Sequence, residues 1–347
     1  MKQLAIVGAG VAGLTAARTL KARHPGLAIT IYEKSRALGG RAATRRRDGF
    51  VFDHGAQYMK TPTAELEHLL RDELPSDDLF DIGQPVWVFD GAGTIAEGDP
   101  AQNADPKWCY TAGLNTLGKL LGADLDVQRE ARIGKLAYEH NAWRLLDVEG
   151  RHVGNADIVV LAVPAPQSAE IVQASAIPDA ERAMLMQALS AARYRRCLAF
   201  TLAYRRIIAR PFYALVNSDR AHPISWLALE HAKGPQRGPA GSSLLIAQMA
   251  PQWSLEQWDT PLEELHAQIT GLVGDLLSED LDEPLWIDRQ GWRYALPDGK
   301  AERSQLDGLL PGLFFAGDAL EGQGRVHLAI ESGWRVAGAI EQTFTGV

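Results

Sequence analysis

A glycine-rich turn between a short apolar strand and a helix, Gly8-x-Gly10-x-x-Gly13, constrains this chain more than any other feature. Residues 3–8 read as a buried strand, 13–23 as a helix and 28–33 (AITIYE) as a second strand. A strand–helix–strand opening calls for parallel pairing, and a parallel sheet is covered on both faces. The three glycines do different things. Gly8 permits the tight reversal, Gly10 lets a phosphate approach the backbone, and Gly13 lets the helix pack closely on the sheet. The helix start then offers free N–H groups and a partial positive charge to phosphates. Glu33 stands 20 residues after Gly13 at the end of the second strand. There a carboxylate accepts hydrogen bonds from ribose hydroxyls and disfavours a 2′-phosphate. The turn reads as a dinucleotide site, with a plain packing turn as the alternative.

At 347 residues the chain suggests two domains and a sizeable core. Hydrophobic residues at 46% and charged residues at 22% exclude a largely disordered chain. The net charge of −8 argues against general binding to nucleic acid or to an anionic membrane surface. The two cysteines, Cys109 and Cys197, lie outside any CxxC, and the nine histidines show no HExxH, so neither a disulfide scaffold nor a metal site is expected. The apolar start is interrupted by glycines and followed by Arg18, Lys21 and Arg23 in helical style, unlike a signal peptide. No apolar run approaches the roughly 20 residues of a spanning helix. A cytoplasmic protein is expected.

Further along, residues 63–70 show a short helical pattern, 75–105 are rich in Gly, Pro and Asp around a strand-like 85–90, and 131–163 carry three short strands. The last of these, DIVVLAVP, is continuously apolar, as suits a central strand. Residues 179–189 read as a helix, 196–204 as a strand, and 233–243 (KGPQRGPAGSS) as the clearest flexible loop. Leu262, Leu265, Ile269, Leu272 and Val273 repeat at helical spacing over 261–277. The chain closes on a strand (LFFAGD), a Gly-rich turn and a helix over about 326–343.

Four further segments join the glycine turn: Gly39-Gly40-Arg41, Asp53-His54-Gly55-Ala56-Gln57-Tyr58, Phe315-Ala316-Gly317-Asp318 and Gly324-Arg325-Val326-His327. With the DIVVLAVPAPQ strand, they occur in the order found in the flavin-containing amine oxidase superfamily, and the chain most closely resembles its renalases and their bacterial relatives. The resemblance is strongest at 1–60, 127–167 and 290–345, and 168–285 carries no matching motif. It implies an α/β fold. A Rossmann-type, glutathione-reductase-like FAD-binding domain (1–60, 105–165 and 300–347) would carry an inserted α+β substrate domain on a mixed or antiparallel sheet (61–104 and 166–299).

FAD would lie with its adenosine end on Gly8, Gly10, Ala12, Gly13, Glu33 and Lys34. Gly40 and Arg41 would bring an N–H and a guanidinium to its pyrophosphate, where charge-assisted hydrogen bonds are strong. By similarity, Ile133 would offer backbone to the adenine, and Val163 with Pro164 would line the groove. Gly55, Ala56 and Gln57 would run beside the flavin, with Tyr58 as a pocket residue. Gly317 and Asp318 suit the ribityl hydroxyls, although Asp318 also reads as a helix cap. The helix from Arg325-Val326 would aim its positive end at the ring edge that gains charge on reduction. Arg45, Arg46 and Arg47 read as a solvated stretch.

For chemistry, Trp292 and Tyr294 would form a wall over the isoalloxazine, or else be core aromatics of a strand; His327 faces the flavin or is merely packed. The chain departs from amine oxidases in three ways. No C-terminal cysteine follows Cys197, so FAD should be non-covalent. Arg195-Arg196 stand where many place a lysine, and no paired-tyrosine cage is evident. The resemblance therefore implies oxidation of 2- and 6-dihydro isomers of NAD(P), with O2 as acceptor giving hydrogen peroxide, by a monomer or homodimer. Arg193, Arg195, Arg196, Arg205, Arg206 and Arg237 form the pool that would meet the substrate's negative charge. An amine or amino-acid oxidase, a desaturase relative, a non-catalytic flavin-binding protein and an NAD-dependent dehydrogenase stand as alternatives.

Overall fold

The computed structural model describes residues 2–74, 76–234 and 236–345. The chain divides into two units: 1–42, 115–194 and 296–347 form the first, and 43–114 with 195–295 the second. The boundaries differ from those expected in four places: 43–60 and 105–114 fall in the second unit, and 166–194 and 296–299 in the first. Residues 166–194 fold onto the first unit's core, where Ile171, Leu185 and Leu189 are buried. Residues 44–53 instead make a hairpin of the second unit, which buries Phe50, Phe52 and Asp53.

In the first unit a five-stranded parallel sheet runs in the order Leu313–Phe315, Ile158–Leu161, Gln3–Val7, Ala28–Glu33, Asp126–Arg129. The apolar IVVL strand sits between two neighbours and is wholly buried, which is why it shows no alternation. Helix Val11–Arg23 follows the first strand. Helix Val326–Thr345 closes the chain, and three antiparallel strands over 133–156 flank the sheet.

The turn between the first strand and helix is decided by atoms too close to admit a side chain. Gly8 has φ +108°, and its N–H donates to the Tyr32 carbonyl at 2.8 Å. A Cβ on Gly13 would stand 2.2 Å from the Gly8 carbonyl oxygen, whereas a Cβ on Gly10 would meet nothing within 4 Å.

The second unit carries a mixed seven-stranded sheet in the order Trp286–Asp298, Arg193–Tyr204, Ser243–Met249, Ile224–Leu229, Ala214–Asn217, Val86–Phe89, Ile95–Ala96. One pairing, Ala214–Asn217 with Val86–Phe89, is parallel. Helix Leu262–Leu277 buries Leu265, Ile269, Val273 and Leu276 against this unit's apolar cluster. The expected periodicity is therefore its packing face. Strands Thr44–Arg47 and Phe50–Asp53 form a hairpin. Asp48 (φ +50°) and Gly49 (φ +81°) supply the two left-handed residues a two-residue hairpin turn demands.

Of the three arginines of that hairpin, Arg46 and Arg47 are exposed, as a solvated stretch would be, while Arg45 is half-buried; all three make side-chain contacts. Arg45 pairs with Asp288 and Gln290, Arg46 donates to the Ala112 carbonyl, and the Arg47 guanidinium lies 4.6 Å from the Trp286 ring centre.

The loop expected to be flexible is instead anchored, although Pro235 within it lies outside the described residues. Lys233 and Arg237 are fully buried with Asp53 and Glu230. Lys233 Nζ lies 3.0 Å from Asp53 Oδ2, and Arg237 Nη1 lies 3.1 Å from Asp53 Oδ2 and 3.0 Å from Glu230 Oε1. Thr44 Oγ1 and the Leu114 N–H also donate to Asp53, at 2.6 and 2.8 Å. Burial alone would raise the Asp53 pKa, but Lys233 and Arg237 outweigh it and hold it at about 2. On Glu230 burial prevails and the pKa rises. Four charges of balanced sign thus close one knot between strand and loop.

Two outcomes follow in chemical denaturation. Asp53→Asn leaves two buried cations on one carboxylate and should cost about 3–5 kcal/mol. Gly13→Ala forces the Gly8 carbonyl aside and should cost about 1–3 kcal/mol or more, while Gly10→Ala should stay within about 1 kcal/mol. Equal losses at Gly10 and Gly13 would contradict the packing account.

Candidate cofactor and substrate site

The glycine turn is tied down by the residue expected to read ribose. Glu33 is buried; its Oε2 accepts from the Ala9 N–H at 2.8 Å, and its Oε1 accepts from the Ser35 N–H and hydroxyl at 2.9 and 2.7 Å. Three of roughly four acceptor positions on a carboxylate are thereby taken, leaving about one for a ligand. Glu33 is thus a latch on the turn as well as a candidate ribose acceptor. The Gly39 N–H donates to the Ala9 carbonyl at 2.9 Å, which brings Gly40 alongside Gly10.

Gly8, Glu33, Lys34, Ile133 and Val163 together line one cavity of about 140 Å³, with Tyr32, Arg132 and Gln167. Five of the expected cofactor residues therefore share one hollow. Ala12 is buried inside the first helix and Ile133 opens the antiparallel flank.

Arg41 and Asp318, expected at pyrophosphate and ribityl, are paired with each other. Arg41 Nη1 and Nη2 donate to Asp318 Oδ2 and Oδ1 at 2.7 and 2.8 Å, a bidentate geometry that charge assistance makes strong. Asp318 is 4% exposed and the Arg41 side chain 31%. Gly317, at φ +123°, would place a Cβ in open space. Arg325 is exposed and Val326 half-buried at the start of the last helix, with His327 half-buried in its first turn.

The remaining expected residues lie in the second unit. Trp292 and Tyr294 stand two positions apart on strand Trp286–Asp298, hence on one face, and both are half-buried instead of forming the core. The Trp292 indole N–H donates to the His54 carbonyl at 2.9 Å, and the two rings stack with centres 5.3 Å apart at 14°. Burial first, and then Arg45, lowers the His54 pKa to about 4, so its imidazole is neutral near pH 7. The Gly55 carbonyl accepts from Gln248 Nε2 at 2.7 Å and Gln57 Nε2 at 3.2 Å. Gln57 Nε2 also donates to the Asp53 carbonyl, so the Gly55–Gln57 backbone is held from the charged knot. Ala56, between them, is half-buried. Of the three expected catalytic residues, Trp292 and Tyr294 share a strand, while His327 belongs to the first unit.

Sequence reasoning misses three residues here. Tyr194 donates to Asp318 Oδ1 at 2.7 Å, yet it sits unmarked among arginines. His54 stacks on Trp292, and Trp226 lies 6.2 Å from Tyr58 with its buried indole N–H lacking a partner among the described residues. Only His54, inside the Asp53-to-Tyr58 segment, carries a sequence signal.

The residues present suit a bound dinucleotide. Helix Val11–Arg23 has neither a side-chain cap nor an acidic residue in its first turn, and Gly10 leaves room beside it. An anion there would meet unopposed N–H groups.

Comparisons with known proteins agree. The family model described as flavin containing amine oxidoreductase matches residues 77–341, and the NAD(P)-binding Rossmann-like domain model matches 6–72. The chain is 46% identical over 87 residues to 4,4′-diapophytoene desaturase (4,4′-diaponeurosporene-forming) of Staphylococcus haemolyticus, covering 25% of this chain and 17% of that one. It is 41% identical over 71 residues to chloroplastic/mitochondrial protoporphyrinogen oxidase 2 of Arabidopsis thaliana, covering 20% and 14%. The match thus spans about a sixth of those relatives' length. Among solved structures, wild-type putrescine oxidase bound to putrescine superposes with a TM-score of 0.74 at 16% identity over 98% of this chain and 99% of that one. Cyclohexylamine oxidase from Brevibacterium oxydans IH-35A gives 0.73 at 13% identity over 98% and 99%. These likenesses show the fold; the family match goes further, and the chain belongs to the flavin-containing amine oxidoreductase family.

Proposed function

We propose that this chain is an FAD-dependent oxidase of dihydronicotinamide isomers, the 2- and 6-dihydro forms of NAD(P), as its resemblance to renalases implies. Bound FAD supplies the hydride acceptor and passes the electrons to O2, so substrate, a proton and O2 give NAD(P)+ and hydrogen peroxide. The chain's own residues bind and orient. Gly8, Gly10, Gly13, Glu33, Lys34, Gly40, Arg41, Ile133 and Val163 hold the adenosine and pyrophosphate end without a covalent bond. Gly317, Asp318, Arg325 and Val326 serve the flavin end. Trp292 and Tyr294 present aromatic faces to a flat ring.

The observation that carries this reading is Arg195. It opens the second unit's part of strand Arg193–Tyr204, is half-buried, and its buried Nε has no hydrogen-bond partner among the described residues. A buried guanidinium N–H left without a partner is costly, and a phosphate-bearing substrate beside this charge would be favoured where a cationic amine would be repelled. Three other members of the arginine pool are engaged: Arg237 is inside the charged knot, Arg206 pairs with Glu279 at 2.9 Å, and Arg196 lies 4.8 Å from the Trp258 ring centre, while Arg193 and Arg205 are exposed.

A second reading, amine oxidation, draws support from the half-buried rings of Tyr58 and Trp226, whose faces suit a cation. The fully buried Tyr213 packs behind them and is closed to a ligand.

Anaerobic mixing with dihydronicotinamide isomers and with amines, following flavin bleaching, separates the two. Bleaching by the former is expected; bleaching by amines alone would overturn the proposal. In Arg195→Ala, loss of one charge-assisted contact of about 1.5–3 kcal/mol should raise the Kd of phosphate-bearing substrates roughly 10- to 150-fold. Isomers of N-methyl-dihydronicotinamide, which lack phosphates, should change less than about threefold.

A further inference from the structure

Three parts of the first unit meet at one phenol. Tyr194 donates its O–H to Asp318 Oδ1 at 2.7 Å, accepts from the Ala165 backbone N–H, and is hydrogen-bonded to Arg41. The Arg41 guanidinium carbon also lies 5.7 Å from its ring centre. Ala165 begins helix Ala165–Ala174, directly after Val163-Pro164; Arg41 follows the Gly39-Gly40 turn; Asp318 follows strand Leu313–Phe315. These ends of separate segments converge on the Tyr194 side chain.

We propose that Tyr194 is a positioning residue of the FAD site, whose hydroxyl fixes the Asp318 carboxylate and the Arg41 guanidinium in the geometry that FAD meets. A carboxylate held by Arg41 alone could pivot about the two parallel N–H···O bonds. The phenol adds a third donor on Oδ1, and its own oxygen is fixed by backbone. Burial first, and then the Asp318 charge, raises the Tyr194 pKa, so the phenol stays protonated and remains a donor at any pH the protein meets. No titration switches the contact off. Ordering these groups before FAD arrives spares the binding step the cost of immobilising them. The proposal concerns the cofactor and stands independently of which substrate is oxidised.

Tyr194→Phe removes one oxygen and keeps the ring. Apoprotein prepared by removing FAD is titrated with FAD, following quenching of flavin fluorescence, alongside the apoprotein's thermal midpoint. The expected result is a Kd for FAD raised about tenfold or more, with an apoprotein midpoint close to the parent's. In an Asp318→Asn background the same substitution should have little further effect, because the partner it orders is gone. A Kd within twofold of the parent's, or an equal loss in both backgrounds, would overturn the proposal. Should the Phe variant fail to fold, 3-fluorotyrosine at position 194 keeps the hydroxyl. Its fluorine resonance should move when FAD is added, and a resonance that stays put would overturn the proposal as well.

Discussion

The cofactor end of this protein depends on one close approach of backbone to backbone. With 2.2 Å between the Gly8 carbonyl oxygen and the place a Gly13 Cβ would occupy, the first helix lies directly on the first strand. That approach aims the helix start at open space beside Gly10, and Glu33 keeps it there by accepting the Ala9 N–H. A carboxylate usually described as reading the ligand is here also a strut of the turn that receives it. The parallel order of the sheet then sets Ala162 beside the same turn, its N–H donating to the Val7 carbonyl, with Ala316 on Leu161 one strand further out.

The second unit meets a different demand with a different device. Its Asp53-to-Tyr58 segment has to hold irregular backbone in place, and no strand ladder can do so beyond Asp53. The balanced quartet of Asp53, Glu230, Lys233 and Arg237 does this by charge. Removing any one member would strand a buried charge, so the quartet is brittle even if its net contribution to stability is small. Its reward is placement, since Gln57 hangs from the Asp53 carbonyl and Gln248 holds Gly55. The Cys109 thiol, 2.8 Å from Arg237 Nη2, is pushed up to about 12 by burial, so it sits in this knot as a neutral group.

What can be read in the sequence follows from the range of the forces involved. The opening strand–helix–strand, helix Leu262–Leu277 and the closing helix declare themselves because hydrophobic period and glycine turns are local. The hairpin at 44–53 is legible in principle: Asp48-Gly49 is a two-residue turn signal, obscured by three consecutive arginines that look solvated. The loop at 233–243 misleads because glycine and proline speak for local freedom, while the partner that buries Lys233 and Arg237 lies 180 and 184 positions away. Tyr194 is hidden for the same reason, its partner Asp318 being 124 positions distant. Among the expected cofactor residues, those expected to act through backbone show themselves mostly as glycine. Arg41 and Asp318 are recognisable by motif, yet nothing in the motif says that they bind each other.

Family membership, the open start of the first helix and the preset Arg41–Asp318 pair all converge on one claim, that the polypeptide folds around FAD and grips it by hydrogen bonds and charge alone. The most direct test is the flavin content of protein purified from cells supplied with riboflavin, before and after denaturation. The account predicts a yellow protein carrying close to one FAD per chain, all of it released intact into the filtrate when the polypeptide is precipitated. A colourless protein that takes up no FAD on reconstitution, or a flavin that stays with the precipitated chain, would contradict it.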